Sequence, residues 1–267
     1  MKFQESFLIN IAIKNFIRIL NVKSYFSRDT NYFIKVGAND GLTGDPFGAQ
    51  ICSNKSWIGD LIEPIPFVFE QLKNNFSDGS RFRCHMLGMS LDKNSTNREI
   101  FFFNSNNVDL KKENLGLWVN QIANFDIDHV KNHIPEHLHY LIESKEIELK
   151  TLSAFIFEKV KRLPDLLHID VSGNDFNVLK TYDFEIGCPR VIMMEVKHLD
   201  LSEKKDLKKF LKSKCYKCFL ISKCDYLAFI NKKDFIFVSL ISYLSVPLVL
   251  MNRFFYKTIY RVRSIYN

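Results

Sequence analysis

The chain has 267 residues, 46% of them apolar and 25% charged, with 25 phenylalanines and no low-complexity tract or internal repeat. This excludes disordered and fibrous classes and provides a core for one large domain with added segments. Net charge is +7, of which Arg253, Lys257, Arg261 and Arg263 supply +4 with no acid after Asp234. No stripe of basic and aromatic residues runs through the body, which argues against a nucleic-acid partner.

Residues 1–23 carry Phe3, Phe7, Leu8, Ile11, Phe16, Ile17 and Leu20 between Lys2, Glu5, Lys14 and Arg18, the pattern of an amphipathic helix. The apolar run before Lys14 is short and no small-residue cleavage site follows it, so a secretory signal is not expected. Residues 1–29 read as an N-terminal helical segment ahead of the main domain, 30–234.

The main domain opens on Phe33-Ile34-Lys35-Val36-Gly37-Ala38-Asn39-Asp40-Gly41. An apolar run ends at Val36 and breaks into a glycine-flanked turn, which reads as a buried strand entering a loop. Glycine at 37 and 41 permits positive φ and removes a Cβ that would hold a ligand away. The second strand, Trp57–Ile62, closes with Glu63-Pro64, and Glu63 lies 22 residues past Gly41. An acid at that place accepts hydrogen bonds from both hydroxyls of a ribose, because a carboxylate takes two donors at once. The spacing fits NAD or S-adenosylmethionine (SAM). The loop lacks the G-x-G-x-x-G pattern, which favours SAM.

A helix over 66–75 and a third strand over 81–87 follow, then a short apolar run at 99–103. Residues 104–150 are rich in Asn, Asp, His and Lys, with helical patches near 115–124 and 136–144. They read as a lid or acceptor-binding insertion. His129 and His133 share a helix face, but Pro135 interrupts the helix before His137 and His139, so no metal centre is expected. After residue 165 the alternation resumes: strand 166–171, helix 174–181, strand 190–195, helix 203–212, and closing strands at 216–222 and 226–230. Continuous apolar strands alternating with helices predict an α/β fold with a mostly parallel sheet covered on both faces.

Cys52, Cys84, Cys188, Cys215, Cys218 and Cys224 sit mostly in apolar or strand-like contexts. They fit reduced thiols of a cytoplasmic protein, and Cys215 and Cys218 would point to opposite faces of a strand rather than share a zinc ion. Phe235–Met251 is uncharged and interrupted by Pro247, and 252–267 interleaves basic and aromatic residues. This tail reads as a helix in the interface of an anionic membrane, on the inner face, with core packing or a homodimer contact as the competing reading.

Taken together, Val36-Gly37-Ala38-Asn39-Asp40-Gly41, Asp45-Pro46, Ile62-Glu63-Pro64, Asp165-Leu166-Leu167-His168-Ile169-Asp170-Val171-x-Gly173-x-Asp175 and Val178-Leu179-Lys180 resemble the FkbM-type SAM-dependent methyltransferases. Pro189-x-Val191-Ile192, Glu195, His198, Cys215-Tyr216 and Asp225-Tyr226-Leu227-Ala228 extend the resemblance over about residues 30–232. It implies a Rossmann-like, seven-stranded, mostly parallel sheet with helices on both faces, the class I SAM methyltransferase fold. It also implies methyl transfer to a hydroxyl oxygen, read here as a sugar of a glycan or glycolipid precursor. Gly37, Ala38, Asn39, Asp40, Gly41, Glu63 and Pro64 are then the cofactor-binding residues, with Met89 and Ser90 bordering the adenine. Asp170 would face the sulfonium and the acceptor hydroxyl, His198 would take the hydroxyl proton, and Glu195 would orient His198 or hold a divalent ion; a metal is not predicted. Each has a plainer reading: a turn for the glycines, an Asx-turn or helix cap for Asn39 and Asp40, packing for Met89, a loop hydrogen bond for Asp170. Ser172 stands where the family carries glutamate, which opens the alternative of a SAM- or glycan-binding module without turnover. An NAD-dependent oxidoreductase is the weaker rival.

Overall fold

A computed structural model describes residues 30–43, 55–76, 81–92, 97–106, 108–171, 173–220 and 225–230. The amphipathic start, Asp45-Pro46, Ser172, Cys52, Cys224 and the tail 235–267 lie outside the described residues. Among the described residues no helix is long and apolar enough to cross a membrane.

Seven strands form the main sheet, in the order β10-β11-β9-β8-β1-β2-β3. They are β1 (Asn31–Val36), β2 (Trp57–Ile62), β3 (Phe82–His85), β8 (Leu166–Ile169), β9 (Val191–Glu195), β10 (Lys217–Leu220) and β11 (Asp225–Phe229). From β3 to β9 all pairings are parallel; β11 runs antiparallel to both β9 and β10. The seven-stranded, mostly parallel sheet expected from the resemblance is therefore present. Side chains alternate between its two faces. Tyr32, Ile34 and Val36 of β1 join one core with Phe155, Phe176, Leu207 and Leu211. Phe33 joins the other with Trp57, Leu61, Phe69, Leu72 and Phe76. Fully burying each such side chain contributes about 1.5–3 kcal/mol, so both faces are covered at the expense of water contact.

The helices on these faces fit their sequences. α1 (Pro66–Asn75) begins with proline at its first turn, where a missing N–H costs nothing, and buries Val68, Phe69 and Leu72. α3 (Leu152–Phe155) is capped by Thr151, whose side chain accepts from Ala154 N, and continues as a π-helical turn, Ile156–Val160. α4 (Asp175–Lys180) and α5 (Leu201–Ser213) follow β8 and β9. α5 starts with a reciprocal capping box between Asp200 and Glu203.

Two expectations change. The third strand ends at His85, and Leu87–Met89 forms a separate strand, β4, in a second sheet of order β4-β7-β5-β6. That sheet comprises β4, β5 (Arg98–Phe103), which covers the apolar run at 99–103, and β6 (Ala123–Asn124) and β7 (Ile142–Lys150), which lie within the 104–150 insertion where only helical patches are expected. Its helical patches are a 3-10 turn at Leu117–Gln121, a short α2 (Ile127–Lys131) and a second 3-10 turn at Glu136–Leu141. β7 was hidden because only Ile147 and Leu149 are buried along it, while Glu143, Ser144, Lys145 and Glu146 face solvent. β5 alternates: Ile100 and Phe102 pack on Ile65 and Val68, and Phe103 packs on Val119, Val130, Ile134 and Leu138. The insertion is thus anchored two residues past Glu63, at the carboxyl edge of the main sheet.

Candidate active site

The carboxyl ends of β1, β2 and β8 lie side by side, and their loops are stitched together by backbone hydrogen bonds. Gly37 N and Ala38 N both donate to Ile62 O, at 3.0 and 2.8 Å, and Asp170 N donates to Val36 O at 3.0 Å. Gly37 has φ +73°, and a Cβ built there would stand 1.8 Å from Asp170 O. Gly41 (φ +77°) would drive a Cβ into the Phe76 ring at 2.2 Å. Both glycines are demanded by the chain's own close approach, a cause the sequence reading had not assigned. Ala38 is fully buried and its N–H and carbonyl are both engaged, the latter by Gly41 N at 2.9 Å. It holds the loop rather than offering a free polar group.

Glu63 organises the edge. One carboxylate oxygen accepts from Asn39 N at 2.8 Å and the other from Ile65 N at 3.0 Å, leaving one acceptor position on each oxygen. Asn39 reaches this bond with φ +52°, a left-handed conformation that asparagine tolerates. Asp40 forms the Asx-turn that was its plainer reading, accepting from Leu42 N (2.9 Å) and Thr43 N (2.7 Å), and Asn75 Nδ2 ties its carbonyl to α1 at 2.8 Å. Pro64 is half-buried beside Glu63. Met89, on β4, pairs with Lys150 of β7 and packs against the main core, while buried Ser90 Oγ donates to Asp92 O at 2.8 Å.

Four acids gather along the tips of β2, β8 and β9. Burial pushes Glu63 up to about 7 against the pull of Ile65 N, Asn39 N and the Lys35 ammonium, and the Asp170 charge adds to the rise. Burial likewise raises Glu195 to about 7, with the charges of Asp170 and Asp175 contributing. Asp175, almost wholly buried, rises to about 6 through burial, although Val171 N and Gly173 N each donate to it at 3.0 Å. Asp170 is thus the charge all three others feel. Asp175, the last residue of the motif that begins at Asp165, shapes the β8 loop that carries Asp170. His198 Nε2 lies 3.6 Å from Glu195 Oε2, and His198 Cβ is the nearest atom, at 3.4 Å, to a Cβ built on Gly173. The three residues expected to do chemistry therefore meet at one edge, with His198 open to solvent.

A cleft of about 320 Å³ leads away from Gly173 between α4 and α5. Phe176, Leu199 and Phe210 supply its apolar wall; Asn177, Lys180, Glu203 and Asp206 supply polar groups. Nothing in the strand and loop motifs pointed to it, because it is made by two helix faces meeting. A second feature missed from sequence is Asp60 on β2, fully buried, with Arg83 Nη2 at 2.9 Å and His85 Nε2 at 2.6 Å. It clamps β2 to β3, and its signal was an acid opposite Arg83 in register.

The histidines of the insertion are engaged separately. His133 Nδ1 bonds His129 O (2.8 Å), His137 Nε2 meets Glu113 (2.8 Å), and His139 Nε2 lies near the carbonyls of Lys131 and Ile134. Among the described residues no three metal-ligating side chains come together. Cys215 lies in a turn with φ +66° rather than on a strand, and Cys218 is on β10.

The Methyltransferase FkbM domain profile matches residues 35–227, most of the chain. The chain belongs to the FkbM methyltransferase family. As a member it is a methyltransferase with S-adenosylmethionine as its cofactor, and its seven-stranded sheet is the class I fold of such enzymes. No curated protein sequence matches it. Among solved structures it is similar to a fibrillarin/Nop5p complex (TM-score 0.38, 13% identity, covering 74% of this chain and 70% of that one). It is also similar to a human methyltransferase 10 domain containing protein (0.39, 9%, 76% and 73%). A third is precorrin-6y C5,15-methyltransferase from Geobacter metallireducens (0.37, 10%, 76% and 81%). Likeness at this level bears on no substrate. The residues present fit the cofactor: a cationic sulfonium and ammonium suit an edge of four carboxylates, and a ribose diol suits the two acceptor positions left on Glu63.

Proposed function

We propose that this FkbM methyltransferase transfers the methyl to a hydroxyl oxygen, and that the hydroxyl belongs to a sugar. The observation that carries this reading is the meeting of the acid edge, the His198–Glu195 pair and the cleft at Gly173. Glu63 would take the two ribose hydroxyls, and the loop from Gly37 to Gly41 with Pro64 would shape the cofactor's bed. Met89 and Ser90 would border the base. When bound, the cofactor supplies a methyl already activated on a sulfonium.

The protein's own contribution is alignment and proton removal. Holding acceptor oxygen and methyl carbon in line can supply up to about 7–11 kcal/mol of the barrier. His198, open to solvent and near the β8 loop, would take the hydroxyl proton, and ionised Glu195 would stabilise the imidazolium that forms; such a base contributes roughly 10²–10⁴-fold. Asp170 would face the reacting centre and favour positive charge there. The cleft's aromatic walls and its Asn177, Glu203 and Asp206 suit a polyhydroxylated ring, whose faces are apolar and whose edges donate hydrogen bonds.

The test is methyl transfer from labelled SAM to a panel of glycans and glycolipid precursors, with binding of SAM measured in parallel. Transfer lost in both Asp170→Asn and His198→Ala, with SAM binding kept in His198→Ala, is the expected result. Binding of SAM with no transfer to any hydroxyl acceptor would make the chain a binding module; full turnover in both variants would remove the base assignment.

A further inference from the structure

Helix α5 separates its charges by face. At 100° per residue, Leu207 and Leu211 point into the core, while Glu203, Asp206 and Phe210 line the cleft toward α4. Lys204, Lys208, Lys212, Lys205 and Lys209 fall together on the remaining arc, all exposed but half-buried Lys204. Leu201 sits in the same arc at the helix start and is 79% exposed. The segregation extends beyond the helix. Residues 197–217 hold eight lysines and three acids, net +5, whereas residues 1–196 hold 22 basic and 25 acidic residues, net −3.

We infer that the lysine face of α5, with Leu201, docks on an anionic lipid surface. A single-sign arc following a stretch of net −3 is complementary to such a surface, and an exposed leucine among lysines is the combination that gains from the headgroup boundary. Glu203, Asp206 and Phe210 lie on the opposite side of α5 from the lysines, so a docked helix leaves the cleft facing away from the lipid surface. This surface stands independently of the methyl-transfer reading, since its test measures lipid binding alone.

The experiment is co-sedimentation of the full chain with phosphatidylcholine vesicles, with and without phosphatidylglycerol. Wild type is expected to bind only the anionic vesicles and to be released by salt. The combined variant Lys205→Gln, Lys208→Gln, Lys209→Gln is expected to lose on the order of 100-fold in partitioning, about fivefold per lysine. Leu201→Ser should lower it about threefold or more. Both should leave SAM affinity and thermal midpoint close to wild type, because Leu201, Lys205 and Lys208 are exposed and Lys209 gives up only an exposed ion pair with Asp206 at 3.5 Å. Equal partitioning of wild type and triple variant, or equal binding to neutral vesicles, overturns the inference. So does tighter binding of an RNA oligonucleotide through the same lysines, which would assign the face to nucleic acid.

Discussion

Replacing Glu63 with glutamine separates gripping a cofactor from holding up the fold. In the free protein the ionised side chain is costly. A carboxyl moved from 4.5 to about 7 by burial corresponds to about 3 kcal/mol against the charged form. The folded state therefore holds more protons than the unfolded chain between these values, and stability falls as pH rises across that window. Glutamine removes the cost but offers only one acceptor oxygen, so either Asn39 N or Ile65 N loses its partner at about 1–3 kcal/mol. The two effects nearly cancel at pH 8, and Glu63→Gln should change unfolding free energy there by no more than about 2 kcal/mol. At pH 5, where Glu63 is already neutral, no such cancellation occurs and the variant is the less stable protein. Cofactor affinity behaves differently. Losing charge-assisted hydrogen bonds to the ribose should cost about 1.5–3 kcal/mol, roughly ten- to a hundredfold in Kd. Wild-type affinity should also rise with pH through about 7 as Glu63 ionises, and the variant's should lose that component. Calorimetric titration with SAM at pH 5 to 8, beside urea unfolding at the same pH values, measures both. A variant that binds SAM as tightly as wild type at pH 8 refutes the ribose role.

The other expectations concern the neighbouring strands. Gly37→Ala should cost more than about 3 kcal/mol in urea unfolding, combining left-handed strain with a Cβ placed against Asp170 O. Gly173→Ala (φ +111°) meets no atom closer than His198 Cβ at 3.4 Å, so it should cost only the strain, about 1–3 kcal/mol. In transferase assays kcat/KM should climb as pH passes about 7 and Glu195 loses its proton; Glu195→Gln should flatten that limb while leaving KM for SAM within about threefold. Asp60→Ala should destabilise by about 2 kcal/mol, less than the roughly 3–5 of a fully buried pair because Arg83 is half exposed and can turn to water. Because the carbonyl of His85, the clamp's other partner, accepts from Glu63 N at 3.1 Å, SAM affinity should fall as well.

Strands β1, β2, β8 and β9 could be read from sequence because each is a continuous apolar run, which only a sheet covered on both faces permits. Helix α1 was legible from Pro66 and its buried spacing. The number of strands and their mostly parallel run entered through family likeness, and the fold bears them out. β7 was illegible because its burial depends on which partner lies behind it, and half its residues are charged. The acids illustrate the same division. Glu63 was recognisable by its distance from Gly41, but its two backbone donors, Asn39 and Ile65, are joined only when the β1 and β2 loops fold over one another. Asp175 and Asp60 take their roles from burial and from N–H, Arg83 and His85 partners that neighbours along the chain do not reveal.

By itself the sequence determined the local chemistry: apolar runs that must be strands, glycines where the chain turns sharply, an acid at a fixed distance from them, and lysines gathered in one stretch. These depend on neighbours along the chain, and neighbours are what a sequence displays. The tertiary structure decided which acids feel Asp170, why Gly37 has no room for a side chain, where the cleft between α4 and α5 opens, and that one helix turns acids to it and lysines away. Each of those follows from distances through space between residues far apart in the chain, which set both the burial of a group and, with the dielectric that burial creates, its Coulomb energy.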